Sequence, residues 1–241
     1  MPSFETSYLT ENSVYTITKN AHAKLQTIDR RSQEANDLES KLQKWNEVQR
    51  EMQKFIEARG LRYAPCTFEN FDVTSKAQQK VVDALIAYAA QSKDLIVKGK
   101  NVLLLGSKGT GKDHLLCALA KRCQLESGSV PHWQNGVDLL EQFHREALNG
   151  SHRFHDPLEH SDILYVSDPI PPTGSLSESK QASMFRVIDS RYSKLKPTWM
   201  TLNVADGDEA EKRMGAQTVD RLRDGALVLF CNWASYRKVA A

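Results

Sequence analysis

The feature that most constrains the fold is a strand-like run followed at once by a glycine-rich turn and a helical pattern. Residues 101–105 are almost entirely apolar, residues 106–112 contain three glycines, and residues 113–126 have helical periodicity. A buried strand that enters a helix through so short a turn is the first half of a crossover between parallel strands. Further apolar runs, separated by helical or loop sequence, occur at residues 163–166, 198–202 and 227–230. The chain is therefore predicted to contain an α/β domain whose parallel sheet is flanked by helices.

The glycine-rich turn has a spacing that is typical of phosphate binding. It has the form G-x-x-x-x-G-K over Gly106, Ser107, Lys108, Gly109, Thr110, Gly111 and Lys112. Its glycines allow successive backbone N–H groups to surround a phosphate at the positive end of the helix, and the lysine reaches the outer phosphates. The alternative is a plain turn that joins a strand to a helix, which the strand-turn-helix setting disfavours. The pattern predicts an ATP site.

Two carboxylates are predicted to hold the Mg²⁺ that accompanies ATP. Asp113 stands where this motif usually has a Ser or Thr whose hydroxyl binds Mg²⁺, and it adds a negative charge close to the phosphates. Asp168 ends the apolar run that follows residue 162, which is the place of the second magnesium-side residue in this class of site.

The residue that usually activates water is missing from its expected place. Hydrolysing proteins of this architecture have a glutamate after the second carboxylate, whereas this chain has Pro169. Proline offers no group that can accept a proton. The next carboxylate is Glu178, so a substitute base remains open. We expect ATP binding with weak or no hydrolysis.

A long helix is predicted before this domain. Residues 21–59 contain neither proline nor glycine, and Gly60 ends the helical pattern. Apolar residues recur at steps of three and four, at Leu38, Leu42, Trp45, Val48, Met52 and Ile56. This apolar stripe has two interpretations, which are packing within the chain and a docking surface for another protein.

These patterns divide the chain into three parts. Residues 1–60 are predicted to be a helical partner-binding module, and residues 76–241 the ATP-binding domain. Residues 61–75, which contain Pro65 and two phenylalanines, are predicted to be a linker.

Composition limits the classes of partner and the cellular compartment that the sequence suggests. A net charge of +2 and a pI near 8.3 do not by themselves indicate nucleic-acid binding. No stretch is apolar enough to cross a bilayer, and the amino terminus lacks the pattern of a secretion signal. The four cysteines form no C-x-x-C pair, which favours free thiols in a reducing compartment. The expectation is a cytoplasmic protein without a membrane partner.

Several motifs resemble those of one family. Residues 66–71 read C-T-F-E-N-F, residues 109–115 read G-T-G-K-D-H-L, and residues 230–237 read F-C-N-W-A-S-Y-R. Together with Asn203 and the stretch at residues 219–223, they resemble the DnaC/IstB group of AAA+ proteins, and within it the DnaC-type replicative helicase loaders of enteric bacteria and their phages. The resemblance implies an AAA+ P-loop NTPase core preceded by a small helical module.

The family resemblance also implies roles for particular residues. The whole loop from Gly106 to His114 would contact ATP, Asn203 would sense the γ-phosphate, and Arg237 would bind it from the carboxyl end of the domain. Arg221 would be the catalytic arginine finger that reaches a neighbouring subunit's nucleotide, with Arg223 as a rival.

The resemblance further implies partners. A loader of this kind would bind a hexameric replicative helicase through its amino-terminal module, help to load it on single-stranded DNA, and self-assemble with ATP. The alternative is the IstB-like transposase-helper branch, which acts on duplex DNA. A P-loop phosphotransferase is disfavoured because the chain has no recognisable acceptor motif.

Overall fold

The computed structural model describes residues 11–148 and 156–237, and the chain divides into two compact units over residues 1–47 and 48–241. The long helix α1, Glu11–Arg59, begins in the first unit and ends in the second. Residues 1–10 of the predicted module lie outside the described residues. Within the described part of the chain, no helix is long and apolar enough to cross a membrane.

The second unit alternates helices and strands as the sequence predicts. After a 3-10 turn at Leu61–Tyr63, its elements are α2 Lys76–Ala90, α3 Ser92–Val97, β1 Val102–Leu105, α4 Lys112–Ser127, β2 His132–Asn135, α5 Gly136–Leu148, α6 Asp156–His160, β3 Leu164–Ser167, α7 Glu178–Ser193, β4 Thr198–Leu202, α8 Gly207–Met214, α9 Ala216–Arg223 and β5 Leu227–Phe230.

The described strands form one parallel sheet in the order β2-β3-β4-β1-β5. The side chains of β1 alternate between two apolar layers, because successive residues of a strand point to opposite faces. Val102 and Leu104 belong to the layer formed with α2 and α4, whereas Leu103 and Leu105 belong to the layer formed with α5, α7, α8 and α9. Burial on both faces explains why β1 is a continuous apolar run. The predicted parallel sheet flanked by helices is confirmed.

The sequence patterns miss one strand of this sheet. β2 contains histidine, tryptophan, glutamine and asparagine, and all four residues are only half-buried. It lies at the edge of the sheet and pairs only with β3, so it needs no apolar run. Trp133 donates from Nε1 to Ser167 Oγ at 3.2 Å, which ties the ends of the two strands together.

The segment predicted to be a linker is part of the second unit and of its core. Cys66, Phe68 and Phe71 are buried in the layer that also contains α2 and α4. Lys121 on α4 donates to the backbone carbonyls of Ala64 and Cys66, the latter at 2.8 Å. Pro65 and the phenylalanines thus mark a segment that packs in a fixed conformation, and the compact unit begins at Val48 rather than at residue 76.

The apolar stripe on α1 divides at the boundary between the two units. Met52 is buried and Ile56 is half-buried in the core of the second unit. In the first unit, Leu38, Leu42 and Trp45 are 69%, 56% and 59% exposed. Packing within the chain therefore accounts for one half of the stripe and leaves the other half open to solvent.

A fully buried arginine links the two chain segments that precede β3 and β4. Arg191 on α7 donates to the carbonyls of Leu158, Ser161 and Pro197 at 3.0, 3.0 and 2.8 Å, and to Thr198 Oγ1 at 3.2 Å. Burial lowers the pKa of its guanidinium to about 10, which leaves it charged at neutral pH. One side chain thus holds the segments that lead into β3 and β4.

Replacement of Arg191 tests this connection. We expect Arg191→Met to lower the free energy of unfolding by about 2–4 kcal/mol, because several buried carbonyls lose their donor. Arg145→Met changes an exposed arginine on α5 and is the control, with an expected change within about 0.5 kcal/mol. Urea unfolding followed by circular dichroism measures both. Equal stabilities for the two variants would contradict the structural role of Arg191.

Candidate functional site

A cleft of about 490 Å³ lies at the carboxyl edge of the sheet, where three segments of the second unit meet. These segments are the glycine loop after β1, residues 62–72 and the chain after β5. Ligands in parallel α/β sheets usually bind outside this edge. The lining residues are Arg62, Tyr63, Cys66, Asn70, Phe71, Asp72, Lys108, Gly109, Gly111, Lys112, Asp113, His114, Asp168, Asn203, Tyr236 and Arg237.

The glycine loop is packed closely on both sides. A β-carbon at Gly109 would lie 2.0 Å from Ser235 Oγ, and one at Gly111 would lie 2.7 Å from the ring of Phe71. Both glycines also have φ near +85°, a conformation that L-residues rarely adopt. Only glycine fits at these two positions, and α4 begins directly after them. The loop thus has the form of a phosphate cradle at a helix N-terminus.

The chain after β5 covers the outer side of the loop. Trp233 Nε1 donates to the carbonyl of Thr110, and the backbone N–H of Tyr236 donates to the carbonyl of Gly109, each at 2.9 Å. The Tyr236 hydroxyl donates to the carbonyl of Asp72. These bonds place Arg237 at the mouth of the same cleft as Lys112, as the family resemblance predicts.

The segment before α2 covers the inner side of the loop. The Phe71 ring makes edge contacts with His114, Trp233 and Tyr236, at centroid distances of 5.3, 6.5 and 5.5 Å. The His114 ring nitrogen Nε2 lies 2.8 Å from the carbonyl of Thr67. This side of the cleft was predicted to be a linker, and the C-T-F-E-N-F resemblance was the signal that could have placed it at the site.

Lys112 and Asn203 meet at the base of the loop. The Lys112 ammonium is buried and donates to the carbonyls of Gly106 and Ser107 at 2.8 and 2.9 Å, and to Asn203 Oδ1 at 2.8 Å. Burial lowers the pKa of this ammonium, and the nearby Asp168 carboxylate opposes the shift. The structure therefore brings together the lysine and the asparagine that the sequence assigned to the outer phosphate.

The two carboxylates assigned to Mg²⁺ also lie together. The Thr201 hydroxyl is 3.3 Å from Asp113 Oδ1 and 3.4 Å from Asp168 Oδ1. Burial raises the pKa of Asp168, and the charge of Asp113 raises it further. Two crowded carboxylates beside a hydroxyl are the oxygen donors that Mg²⁺ prefers, so this group fits the ion. Asp168 follows the last residue of β3 and has φ of 47°, a value that is uncommon for a residue other than glycine.

Asp113 has partners that the sequence does not indicate. Its Oδ1 accepts from the Tyr165 hydroxyl at 2.6 Å and forms an ion pair with Arg59 at 3.1 Å. Arg59 is the last residue of α1, and Tyr165 belongs to β3. No motif connects them with the loop, because the fold alone brings these segments together.

The predicted catalytic positions lie outside the cleft. Pro169 is buried, and its backbone packs against Gly136 at the start of α5. Glu178, the substitute base that the sequence left open, is exposed at the start of α7 and does not line the cleft. No carboxylate other than Asp72, Asp113 and Asp168 lines the cleft in the described part of the chain.

Both arginine-finger candidates lie on α9. Arg221 pairs with Asp189 at 3.1 Å and with Asp220 at 3.0 Å, and Arg223 pairs with Glu211 at 3.2 Å. Neither lines the cleft of its own chain.

Comparisons with known proteins identify the relatives of this chain. The profile of the family described as IstB-like ATP binding protein matches residues 18–240. The replicative helicase loader DnaC of Escherichia coli (strain K12) is 26% identical over 193 residues, which cover 77% of this chain and 76% of that protein. The replicative helicase loader DnaC of Buchnera aphidicola subsp. Baizongia pistaciae is 29% identical over 197 residues, with 78% and 76% covered.

Solved structures share the fold. The crystal structure of the DnaC helicase loader matches with a TM-score of 0.63 at 20% identity, covering 71% of this chain and 99% of that one. The replication initiator DnaA bound to AMPPCP and single-stranded DNA matches with a TM-score of 0.55 at 19% identity, covering 71% and 50%. At 19–20% identity, these two matches show a shared fold, whereas the match to the family profile shows which family the chain belongs to. The chain belongs to the IstB-like ATP-binding family of AAA+ proteins and is similar to the DnaC helicase loaders.

Proposed function

We propose that this protein is an ATP-dependent loader that binds a hexameric replicative helicase and helps to place it on single-stranded DNA. The observation that carries the proposal is the junction of Lys112, Asn203 and the two carboxylates at one cleft, in a chain whose relatives are replicative helicase loaders. The relatives match over about three-quarters of their own length, so most of the loader is represented here.

In this proposal the cleft binds ATP together with Mg²⁺. The glycine loop and Lys112 hold the phosphates, Asp113 and Asp168 lie on the magnesium side, and Arg237 approaches from the covering segment. Bound Mg²⁺ neutralises phosphate charge and relieves the repulsion between the two carboxylates. The aromatic groups around Phe71 provide apolar walls of the kind that bind a base.

The exposed half of the stripe on α1 is the proposed docking surface for the helicase. Leu38, Leu42 and Trp45 lie at helical spacing and are all more than half exposed. An exposed row of large apolar residues on one helix face suits insertion into an apolar groove of another protein. Trp45 is the natural anchor, because buried tryptophans often dominate binding energy at interfaces.

ATP acts here as a binding switch with weak turnover. Pro169 stands where the base is usual, and Glu178 does not line the cleft, so neither of the two positions that the sequence offers for a base supplies one there. Binding energy alone can shift a protein between two states if ATP favours one of them. Arg221 on α9 is the proposed contact to the nucleotide of a neighbouring copy in an ATP-dependent assembly.

The second candidate function is that of a transposase helper on duplex DNA, which the IstB-like family profile favours. Capture of the tagged full-length protein from its own host, with and without ATP, separates the two functions. Recovery of the replicative helicase supports the loader, and recovery of a transposase in its place supports the alternative.

Loss of the loop lysine tests the ATP site. We expect Lys112→Ala to weaken ATP binding at least tenfold, about 1.4 kcal/mol, because the buried ammonium at the base of the loop is removed. Lys93→Ala removes an exposed lysine away from the cleft and is expected to bind as the wild type does. Titration with a fluorescent ATP analogue measures both. Unchanged affinity in Lys112→Ala would remove the loop from the ATP site.

Alanine substitutions of exposed apolar residues test the docking surface. Leu38→Ala and Trp45→Ala are expected to weaken binding of the host's replicative helicase, each by about 1 kcal/mol or more, because each removes apolar area from the interface. Leu125→Ala, at a leucine that is 75% exposed on α4, is expected to have no effect. Biolayer interferometry with the full-length chain gives the affinities. Equal affinities for all three variants and the wild type would place the helicase contact elsewhere.

Restoration of a base tests the weak turnover. The wild type is expected to release phosphate at a rate close to that of Lys112→Ala, even with helicase and single-stranded DNA present. Pro169 directly follows Asp168, which lines the cleft, so we expect the longer side chain of Pro169→Glu to bring a carboxylate to the cleft and to raise this rate about tenfold or more. Pro169→Gln, whose side chain has the shape of glutamate but no base, is not expected to raise it. Brisk wild-type hydrolysis that disappears in Lys112→Ala would show that another residue activates water.

A further inference from the structure

Arg59 occupies an unusual position for a charged residue beside a nucleotide cleft. Its side chain is only 5% exposed, and its guanidinium lies 3.1 Å from Asp113 Oδ1 and 3.3 Å from the Tyr165 hydroxyl. Its carbon Cζ also stacks over the rings of Tyr63 at 3.8 Å and Trp133 at 4.7 Å. The cation is thus fixed on several sides and cannot turn toward another carboxylate without leaving this aromatic pocket.

Asp113 is the group that Arg59 faces and also the residue that follows the loop lysine. Its side chain is 24% exposed and lines the cleft, whereas Arg59 does not line it. A carboxylate at this place adds negative charge where a triphosphate must bind, and repulsion in a partly buried site is stronger than in water. The ion pair offsets that charge without placing the arginine itself in the path of the ligand.

Tyr165 completes the arrangement as a neutral donor. Burial raises the pKa of its hydroxyl well above the ordinary value, and the Asp113 charge raises it further, so the hydroxyl keeps its proton. It donates to the same Oδ1 atom that Arg59 contacts, at 2.6 Å. Together with the Thr201 hydroxyl at 3.3 Å, these two donors on one oxygen fix the orientation of the carboxylate, and therefore the direction in which its other oxygen points.

We propose that Arg59 is a positioning residue of the nucleotide site, which orients Asp113 and cancels its charge so that the cleft accepts ATP with Mg²⁺. This inference rests on the proposed ATP site. It means that the last residue of α1, which lies outside the glycine loop and its motif, contributes to the affinity for ATP. Its consequence is a charge balance, in which the affinity for ATP depends on the sum of the charges at residues 59 and 113 more than on either residue alone.

A double-mutant cycle tests the charge balance by equilibrium binding of fluorescent ATP, with Mg²⁺ and with EDTA. Arg59→Met keeps the apolar stem and is expected to weaken binding about tenfold in EDTA, because the Asp113 charge is then uncompensated. Asp113→Asn is expected to strengthen binding in EDTA about threefold or more, because Arg59 then acts as an extra cation. The double variant is expected to return to within about threefold of the wild type.

The affinity of the double variant distinguishes a charge balance between residues 59 and 113 from a role of Arg59 in folding. A purely structural arginine would leave the double variant as weak as Arg59→Met, and that result would overturn the proposal. Unfolding temperatures are measured for every variant. If Arg59→Met does not fold, the proposal is decided by Arg59→Lys, which keeps the charge without the planar stacking and is expected to bind within about threefold of the wild type, and by Asp113→Asn. Weaker or unchanged binding by Asp113→Asn in EDTA would overturn it.

Lys112→Ala, measured in parallel, separates this inference from the proposed function. Wild-type binding that depends on Lys112, without the opposite effects of Arg59→Met and Asp113→Asn, overturns only the role of Arg59. A wild type that binds no ATP overturns the ATP site and the positioning role together.

Discussion

The close packing of the glycine loop is the constraint on which the rest of this structure depends. Ser235 lies against Gly109 on one side and the Phe71 ring lies against Gly111 on the other, at distances that exclude a β-carbon. These two neighbours come from segments remote in sequence, the chain after β5 and the chain before α2, and both pack against the loop in the folded second unit. The nucleotide cleft is therefore a product of the whole second unit, and its walls form together with its core.

Electrostatics at the base of the cleft follow from this packing. Lys112, Arg59, Asp113 and Asp168 are all at least partly buried, so their charges interact in a medium less polar than water. Two cations and two anions lie within a few side chains of the Thr201 hydroxyl, which contacts both carboxylates. A site balanced in this way can take a highly charged ligand and its metal ion without first displacing a single dominant ion pair. We infer that this balance allows an aspartate to follow the loop lysine in this chain.

The apolar stripe of the long helix is buried in one part and exposed in the other. Its last turns bury Met52 and Phe55 in the core of the second unit and end at Arg59, which pairs with Asp113 behind the nucleotide cleft. The first unit leaves Leu38, Leu42 and Trp45 exposed. A helix whose apolar stripe is only half used within its own chain is well suited to a partner, because the remaining apolar area gains free energy when another protein covers it.

The sequence by itself determined the sheet, the loop and the residues at its base. Strand β1 is apolar throughout because both faces of a central strand are covered, and β4 and β5 end where their apolar runs end. The glycine spacing and Lys112 identify the phosphate side, since their chemistry depends on local backbone geometry alone. Asp168 and Asn203 follow neighbouring strands, so the parallel order brings both to one edge.

The tertiary structure alone decided which remote segments complete the site. β2 carries no apolar signal because it lies at the edge of the sheet, and residues 61–75 have the composition of a linker although Phe71 packs against the loop. Arg59 has the sequence context of a surface arginine at a helix end, yet it is buried against Asp113. Local patterns record periodicity and backbone preference, whereas these contacts depend on where the fold places residues that are far apart in the chain.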